Sequence, residues 1–484
     1  MAPREDEHND VGPHEPTEAS PLLPNLESPK SLADDSWWAE VWLLSQYSIP
    51  LIFTYLLQYS SSIITTFVAG HLSADDLAAA SIGMTTMTII GYSAFEGMAT
   101  ALDTLCAQAY GSGNLAGVGL HVQRMSLFMT LAMVPIALSW LLSPWWLSLF
   151  VKQQSLSVLA GAFLRVSIAG LPGYAFFEAG KRFLQAQGDF SAAMVVLVIC
   201  TPVNVFLSWL FAMKLDMGLE GAALGTALTN NLRPLLLLLY VVMPAGRWSR
   251  GCWGGFSREA WAGWSHMVQL SVAGTAVNVG EWASYEVVAL STSYLSVNHL
   301  AAQTILTTVA VVIWHIPFSV SIAVSTRIGH LIGAGLLKTA RRATVLYAVV
   351  FTLIGVLNGA VIFLLRNDLA RFFSEDDVVC ELAAKTMMAV SFIQIIDSLN
   401  CCTNGVIRGL GKQSVAAWVV NVVNYFAAVP LAIWLELGSP GLKLDGVWIG
   451  LGSGMVITVV VESLYMKMLR WQDCVDIVKL REGS

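Results

Sequence analysis

The sequence contains an internal duplication, and both copies consist of apolar segments long enough to cross a membrane. Leu77-Ala78-Ala79 precedes an apolar run that ends at Gly111, and Leu300-Ala301-Ala302 precedes a similar run that ends at Gly333. A chain with two similar halves of spanning helices is typical of secondary transporters, because the halves can rock about a site between them.

A second pair of motifs repeats in the same order. Glu220-Gly221 and Asp445-Gly446 each begin a segment whose next glycine, Gly225 or Gly450, lies four residues on. Twelve apolar stretches reach the roughly 20 residues that a membrane crossing needs, six in each half. Charged residues make up only 12% of the chain, against about 25% in an average soluble protein, which excludes most soluble enzymes.

These observations predict an all-α integral membrane protein with twelve transmembrane helices in two pseudo-symmetric six-helix lobes. The predicted boundaries are an acidic disordered tail at 1–37, a first lobe at 38–243, an inter-lobe linker at 244–264, a second lobe at 265–470 and a C-terminal tail at 471–484.

The N-terminal tail is rich in Glu, Asp, Pro and Ser and cannot bury enough apolar surface to fold. Within it, Glu18 followed by Leu22 and Leu23 resembles an acidic dileucine sorting signal, which would direct the protein to the vacuole. The plasma membrane is the alternative location. Basic residues occur singly or in pairs with no extended patch, so nucleic acid is not expected as a partner.

The distribution of positive charge predicts the orientation. With the N-terminus in the cytosol, twelve Lys and Arg residues fall in predicted inner loops and five in predicted outer loops. The inner set includes Lys181, Arg182, Arg327 and Arg408. Because cytosolic loops carry the excess of positive charge, both termini are expected in the cytosol.

Ionisable residues inside a bilayer cost free energy and therefore mark functional sites. Those in the predicted spans are Glu96, Asp103, Arg165, Glu178 and Arg233 in the first half, and Glu281, Glu286 and Asp397 in the second.

The seventh predicted span concentrates this signal. Glu281 and Glu286 are five residues apart, about 140° around a straight helix, so both face one cavity only if it is wide or the helix bends. Tyr285 shares a face with Glu281 and offers its carboxyl a hydroxyl partner. Two nearby carboxyls in a low dielectric cannot both ionise cheaply, so at least one should stay protonated at neutral pH. Such a group can exchange a proton for an organic cation.

Several motifs together resemble the multidrug and toxic compound extrusion (MATE) family. They comprise 68–72 (Val-Ala-Gly-His-Leu), 101–111 (Ala-Leu-Asp-Thr-Leu-Cys-Ala-Gln-Ala-Tyr-Gly), 281–286 (Glu-Trp-Ala-Ser-Tyr-Glu), 325–329 (Ser-Thr-Arg-Ile-Gly) and 405–411 (Gly-Val-Ile-Arg-Gly-Leu-Gly). The resemblance covers about residues 45–470 and is strongest to the eukaryotic, fungal branch.

The resemblance implies a monomeric antiporter that exports organic cations or other amphiphiles by alternating access, coupled to protons through glutamates of the second lobe. Glu281 and Glu286 match the two glutamates of the seventh helix, and Asp397 stands where relatives have an acid on the tenth. Where bacterial members carry an aspartate on helix one, this chain has Thr65. The other residues predicted to line or support the site are Trp282, Tyr285, Trp314, Gln58, Tyr92, Glu96, Tyr174, Phe177 and Glu178.

Four alternatives remain at this point, one of them a non-transporting sensor with this fold, which would not need Glu281, Glu286 and Asp397 together. Sodium could replace the proton, with Asp397, Asn400, Thr403 and Asn404 as oxygen ligands. A lipid-precursor flippase of the wider superfamily would need a cationic groove. A membrane enzyme would need an embedded His with a partner, and the eight histidines lack such a spacing, so no enzyme activity is expected. No cofactor or metal centre is predicted, because the seven cysteines are scattered.

Overall fold

A computed structural model describes residues 36–151, 153–243 and 251–482. Within these ranges the chain is helical and contains no strand, which confirms the predicted all-α class. The acidic tail with its dileucine motif, and the beginning of the linker, lie outside the described residues.

The helices of the first half are α1 (Trp37–Leu72), α2 (Ala74–Thr86), α3 (Ser93–Ser112), α4 (Leu115–Leu141), α5 (Ser143–Leu147), α6 (Gln154–Ser167), α7 (Leu171–Gln185), α8 (Ser191–Trp209) and α9 (Gly218–Val242). Those of the second half are α10 (Ser265–Thr292), α11 (Val297–Gly333), α12 (Leu337–Phe373), α13 (Asp377–Gly409), α14 (Gln413–Val423), α15 (Val429–Leu437), α16 (Leu444–Met468) and α17 (Trp471–Glu482).

Some of these helices join end to end through short π- or 3₁₀-helical turns, as α2 joins α3 through Met87–Tyr92. Counted in this way, 10 helices of the described ranges are long and apolar enough to cross a membrane. Two more of similar length, α9 and α10, complete the two bundles without reaching that apolarity. In α10 the reason is a run of polar and small residues that includes Glu281 and Glu286.

The repeated glycines have the same role in both halves. A Cβ atom on Gly221 would lie 2.6 Å from the carbonyl carbon of Phe211, and one on Gly446 would lie 2.6 Å from that of Leu435. Neither position has room for a side chain. The duplicated motif therefore brings α9 close to the end of α8 in the first lobe, and α16 close to α15 in the second.

The two lobes meet along α3, which packs on α10 and α11. The contact is reciprocal: Gly111 lies against the backbone of His330, and Gly333 lies against the backbone of Gln108. Gly97 of α3 gives a third close approach, since a Cβ there would lie 2.5 Å from Cα of Thr275. Small residues at these points let the helix backbones touch, as membrane helices require for tight packing.

Buried ion pairs close one end of this interface, which we call the terminal end because α1 begins there and α17 docks there. Arg327 on α11 reaches across to Glu40 on α1, with Nη2 2.8 Å from Oε2, and the hydroxyl of Tyr347 donates to the same carboxylate. Arg408 Nη1 lies 3.3 Å from Asp103 Oδ2. Every described hydrogen bond between the lobes lies toward this end, so the cleft between them opens at the opposite end.

Among the cations that the sequence places in loops and the structure places inside helices, four are paired with buried acids. Lys181 and Arg182 are fully buried on α7, Arg327 is buried on α11, and Arg408 is on α13. All four are near the terminal end, where each is paired with an acid or lies beside one, so they neutralise buried carboxylates as well as biasing the charge of that end. The described part of the linker packs against the first lobe, where Gln123 Nε2 donates to the Gly255 carbonyl at 2.7 Å.

Candidate functional site

A cavity of about 140 Å³ lies inside the second lobe, between α10, α11, α13, α14 and α16. Its lining includes Glu281 and Glu286 from α10 and Asp397 from α13. The separation of five residues between the two glutamates therefore still places both on one cavity. The structure brings together the three acids that the sequence singles out in this lobe.

The carboxyl groups in this cavity have no basic partner among the residues that the structure describes. Asp397 is buried at 6% exposure and Glu281 is half-buried, whereas Glu286 is exposed. In the described ranges, neither Asp397 nor Glu281 forms an ion pair with a Lys or Arg side chain. A carboxylate withdrawn from water without a cation is costly, so these groups are suited to binding a proton or a cationic ligand.

A second cavity, of about 260 Å³, lies between the lobes and shares Glu281, Trp282, Glu286 and Trp314 with the first. We call it the central cleft. The first lobe contributes a polar wall to the cleft, made of residues from α1, the α2–α3 junction, α7 and α9. Its members include Gln58, Thr65, Tyr92, Glu96, Tyr174, Asn230 and Arg233.

Glu96 is held in this wall by neutral donors. Its Oε1 accepts hydrogen bonds from the Tyr174 hydroxyl at 2.5 Å and from Gln58 Nε2 at 3.3 Å. Tyr174 is fixed in turn by Tyr92, whose ring stacks on it with a centroid separation of 3.9 Å. Glu96 thus lines the cleft and receives its hydrogen bonds from neutral groups.

Glu178 has a different environment. It is fully buried behind the wall, and its two oxygens accept from Lys181 Nζ at 2.8 Å and Arg182 Nη1 at 2.6 Å. Arg182 also lies 3.4 Å from Asp103 through Nε. Gln58 connects Glu178 to the Glu96 group, with Nε2 3.0 Å from Oε1. The structure therefore places Glu178 in an ion-pair network and not on the cleft surface.

Aromatic side chains form the apolar part of the lining. Trp282 and Trp314 meet edge to face with centroids 6.5 Å apart, and Trp314 stacks on Phe318 at 4.3 Å. Tyr285 lines the second-lobe cavity. The prediction for Phe177 is wrong, because its ring is fully buried beneath the wall, between the cations of Lys181 and Arg233.

Several site residues were not anticipated. Asn424, Trp448 and Thr458 line the second-lobe cavity, although no sequence motif marked them as site residues. Three buried acids were also missed, namely Glu40, Glu436 and Glu462. A single acid within an apolar run, as in 458–462, was the available signal.

The duplicated helical bundle, the cleft between its lobes and the acidic cavity define a membrane transporter rather than an enzyme. The MatE family model matches the chain twice, at residues 50–210 and 275–434, once in each lobe. The chain belongs to the MatE family of multidrug and toxin extrusion transporters.

Relatives and solved structures agree with this assignment. The chain is 38% identical to an uncharacterized transporter of Saccharomyces cerevisiae over 90% of its length, and the match covers 62% of the yeast protein. It is 31% identical to Protein DETOXIFICATION 16 of Arabidopsis thaliana, over 92% of this chain and 90% of the plant protein. The crystal structure of the eukaryotic MATE transporter AtDTX14 superposes with a TM-score of 0.86 at 26% identity, covering 92% of this chain and 99% of that one.

Proposed function

We propose that this transporter is a proton-driven antiporter that exports organic cations or other amphiphiles, with Glu281 and Asp397 as the shared site for proton and substrate. The observation that carries the proposal is the cavity itself. It holds two withdrawn carboxyl groups without a basic partner, beside aromatic faces that can cover an apolar or cationic ligand. A cation over an aromatic ring gains about 0.5–2 kcal/mol.

Orientation then gives the order of events. With the terminal end in the cytosol, as the positive-inside rule favours, the structure is open to the outside and closed toward the cytosol. A proton arriving from outside neutralises a carboxyl and releases the substrate. The protonated site then turns toward the cytosol, loses its proton there and binds the next substrate molecule. Coupling requires only that proton and substrate compete for one site.

The magnitude of the driving force is sufficient. A pH difference of two units is worth about 2.7 kcal/mol per proton, which supports a roughly 100-fold gradient of a neutral substrate at one proton per molecule.

Sodium coupling has weaker support. The four proposed oxygen ligands do not converge, because Asp397 and Asn400 line the cavity whereas the Thr403 hydroxyl is bonded to Glu462 at 2.5 Å. A sodium ion needs several oxygens at once. The flippase alternative is weaker still, since Arg233 is the only Lys or Arg among the described residues lining the two cavities.

Transport by purified protein in proteoliposomes tests the proposal. A fluorescent organic cation is loaded, and its flux is followed under a pH gradient or a sodium gradient. We expect flux with the pH gradient, lost in Glu281→Gln, which keeps the shape but cannot carry the proton. Flux driven by sodium alone would overturn proton coupling.

Glu436→Gln is the matched control. Glu436 is also a buried carboxyl of the second lobe, bonded to the Ser291 hydroxyl at 2.5 Å, but it does not line either cavity. Its neutralisation should leave pH-driven flux near the wild-type rate. An equal loss of flux in both variants would mean that neutralising any buried acid of this lobe stops transport, so the effect would not identify Glu281 as the proton site.

The membrane in which the transporter works is part of the proposal. A vacuolar location depends on the Glu18, Leu22 and Leu23 motif, and the plasma membrane is the alternative. Replacing both leucines with alanine in a fluorescent fusion should move the protein from the vacuole to the plasma membrane.

A further inference from the structure

Two buried carboxyls of the second lobe, Glu436 and Glu462, have no role in the cycle described above, and only Glu462 lies on the side of the cavity toward the terminal end. Glu462 on α16 is fully buried and lies outside both cavities. Its Oε2 lies 2.5 Å from the Thr403 hydroxyl on α13, and its Oε1 has no hydrogen-bond partner in the described part of the chain. In the described ranges, no Lys or Arg forms an ion pair with it. Burying a carboxyl without a cation costs free energy, which argues against a purely structural role for this group.

The position of Glu462 relative to the cavity is specific. Thr458, one turn earlier on the same face of α16, lines the cavity, and so does Asn400, three residues before Thr403 on α13. The Glu462–Thr403 pair is therefore the first polar layer beneath the cavity floor. Along α13, Thr403 is about 9 Å from Asp397 toward the terminal end, and Glu462 is about 9 Å from the end of α16.

The hydrogen bonds at this layer have two arrangements. The Thr403 hydroxyl lies 3.1 Å from the Asn400 carbonyl as well as 2.5 Å from Glu462. A hydroxyl donates only one proton. When it donates to the Asn400 carbonyl, Glu462 must hold a proton and donate to Thr403. When it donates to Glu462, that oxygen carries no proton and the carboxyl can be ionised. Rotation of one hydroxyl thus accommodates both protonation states.

The charged groups on neighbouring helices do not fix Glu462 in either its protonated or its ionised form. On α13, the titratable and charged groups near this level are Asp397, Cys401, Cys402 and Arg408, with Glu281 on α10 above and Lys412 just before α14. Glu436 on α15 is at the opposite end of the lobe. The two cations at this level lie toward the terminal end, the direction in which a proton would leave.

We propose that Glu462 is the exit residue for the coupling proton, passing it from the cavity to the cytosolic side. This role rests on the proposed proton antiport. The proton leaves Asp397 or Glu281 for a cavity water beside Asn400. Thr403 accepts it as its own hydroxyl proton moves to the ionised Glu462. When the terminal end opens, Glu462 gives the proton to cytosolic water, and every group returns to its starting form.

The test compares two fluxes in the same proteoliposomes, with one fluorescent organic cation as probe. Net export under a pH gradient requires proton release on every cycle. Exchange of labelled for unlabelled cation at equal pH requires only that the loaded site change sides. We expect Glu462→Gln to slow net export about tenfold or more while exchange stays within about twofold of wild type. Glu462→Asp, which keeps a carboxyl, should restore part of the net export.

Two further variants keep the result decisive. Glu436→Gln removes an equally buried carboxyl and should leave the ratio of net export to exchange unchanged. If Glu462→Gln does not fold, Thr403→Val breaks the same link with the carboxyl retained, and it should lower that ratio. A wild-type ratio in the folded variant overturns the exit role alone. Absence of pH-driven export in the wild-type protein overturns both the exit role and the proposed antiport.

Discussion

Two acids of the first lobe, identical in type and joined through Gln58, differ in what surrounds them. Glu96 accepts from a tyrosine and an amide at the edge of the cleft, whereas Glu178 is enclosed by Lys181 and Arg182. A carboxylate between two buried cations is fixed in its charged form. One with only neutral donors can change protonation at smaller cost. The two residues therefore have different roles, one in the cleft and one in the structure.

Neutralising each acid should separate these roles. Glu178→Gln removes the carboxylate that contacts both buried cations, so we expect a loss of about 3 kcal/mol or more in stability. Glu96→Gln retains its hydrogen-bonding shape and should unfold near the wild-type temperature. Thermal unfolding of both purified variants in detergent measures the difference, and equal melting temperatures would contradict it.

The sequence allowed prediction of the residues whose chemistry conflicts with their immediate neighbours. Glu281 and Asp397 stand out because an acid in an apolar span is conspicuous whatever it contacts. Arg327 is assigned to a loop because its acidic partner is not visible locally, since Glu40 lies 287 residues away in the chain. The Glu462–Thr403 pair could not be predicted for the same reason, since the two residues meet only when α13 packs on α16. The partner of Lys181, Glu178, is only three residues away, so local spacing was enough to place both on one helix.

At the level of elements, α17 joins two parts of the molecule that the duplicated bundle alone leaves separate. It follows the second lobe, and its buried face includes Trp471, Val475 and Val478. Its last turn reaches the first lobe, where Arg481 Nη2 donates to Gln108 Oε1 at 3.0 Å and Glu482 Oε2 accepts from Asn114 at 2.9 Å. The helix thus crosses the closed end of the interface between the lobes.

The docking of α17 should depend on pH in a defined window. Burial alone would raise the pKa of Glu482, but the hydrogen bond and charge of His121, together with Arg481, outweigh it and lower the pKa to about 2. Because the pKa in the docked state is below that of a free glutamate, about 4.3, the stabilisation is complete above that value. It is then lost as pH falls toward 2.

An environment-sensitive dye on Ile477→Cys, at a position 42% exposed, reports this docking. We expect the signal to change as pH falls below about 4.5, where Glu482 begins to take up a proton. Adding Glu482→Gln should weaken docking above about pH 4.5, where the wild-type carboxyl is ionised, and so flatten the profile. A wild-type transition between pH 5 and 7 would show that another group controls the helix.

At the scale of the whole molecule, closure at the terminal end depends on contacts that only one conformation can make. Glu40 with Arg327, and Asp103 with Arg408, join opposite lobes and are buried between them. When the lobes rock apart at this end, the same groups become accessible to water. These pairs therefore act on the equilibrium between the two conformations more than on the folding of either lobe.

Glu40→Gln should consequently shift the transporter toward the conformation open at the terminal end. The change leaves Arg327 buried without its counterion, a penalty of about 3 kcal/mol that applies only to the closed end and corresponds to roughly a hundredfold change in the equilibrium. Spin labels on Asp75→Cys and Val297→Cys lie at the opposite end of the two lobes. They should move closer together, as measured by pulsed electron paramagnetic resonance. The matched control is Asp473→Asn, since that carboxylate pairs with Arg470 on the exposed surface and its loss should leave the distances unchanged. If the distances in Glu40→Gln equal those of the wild type, the buried pair does not hold the terminal end closed.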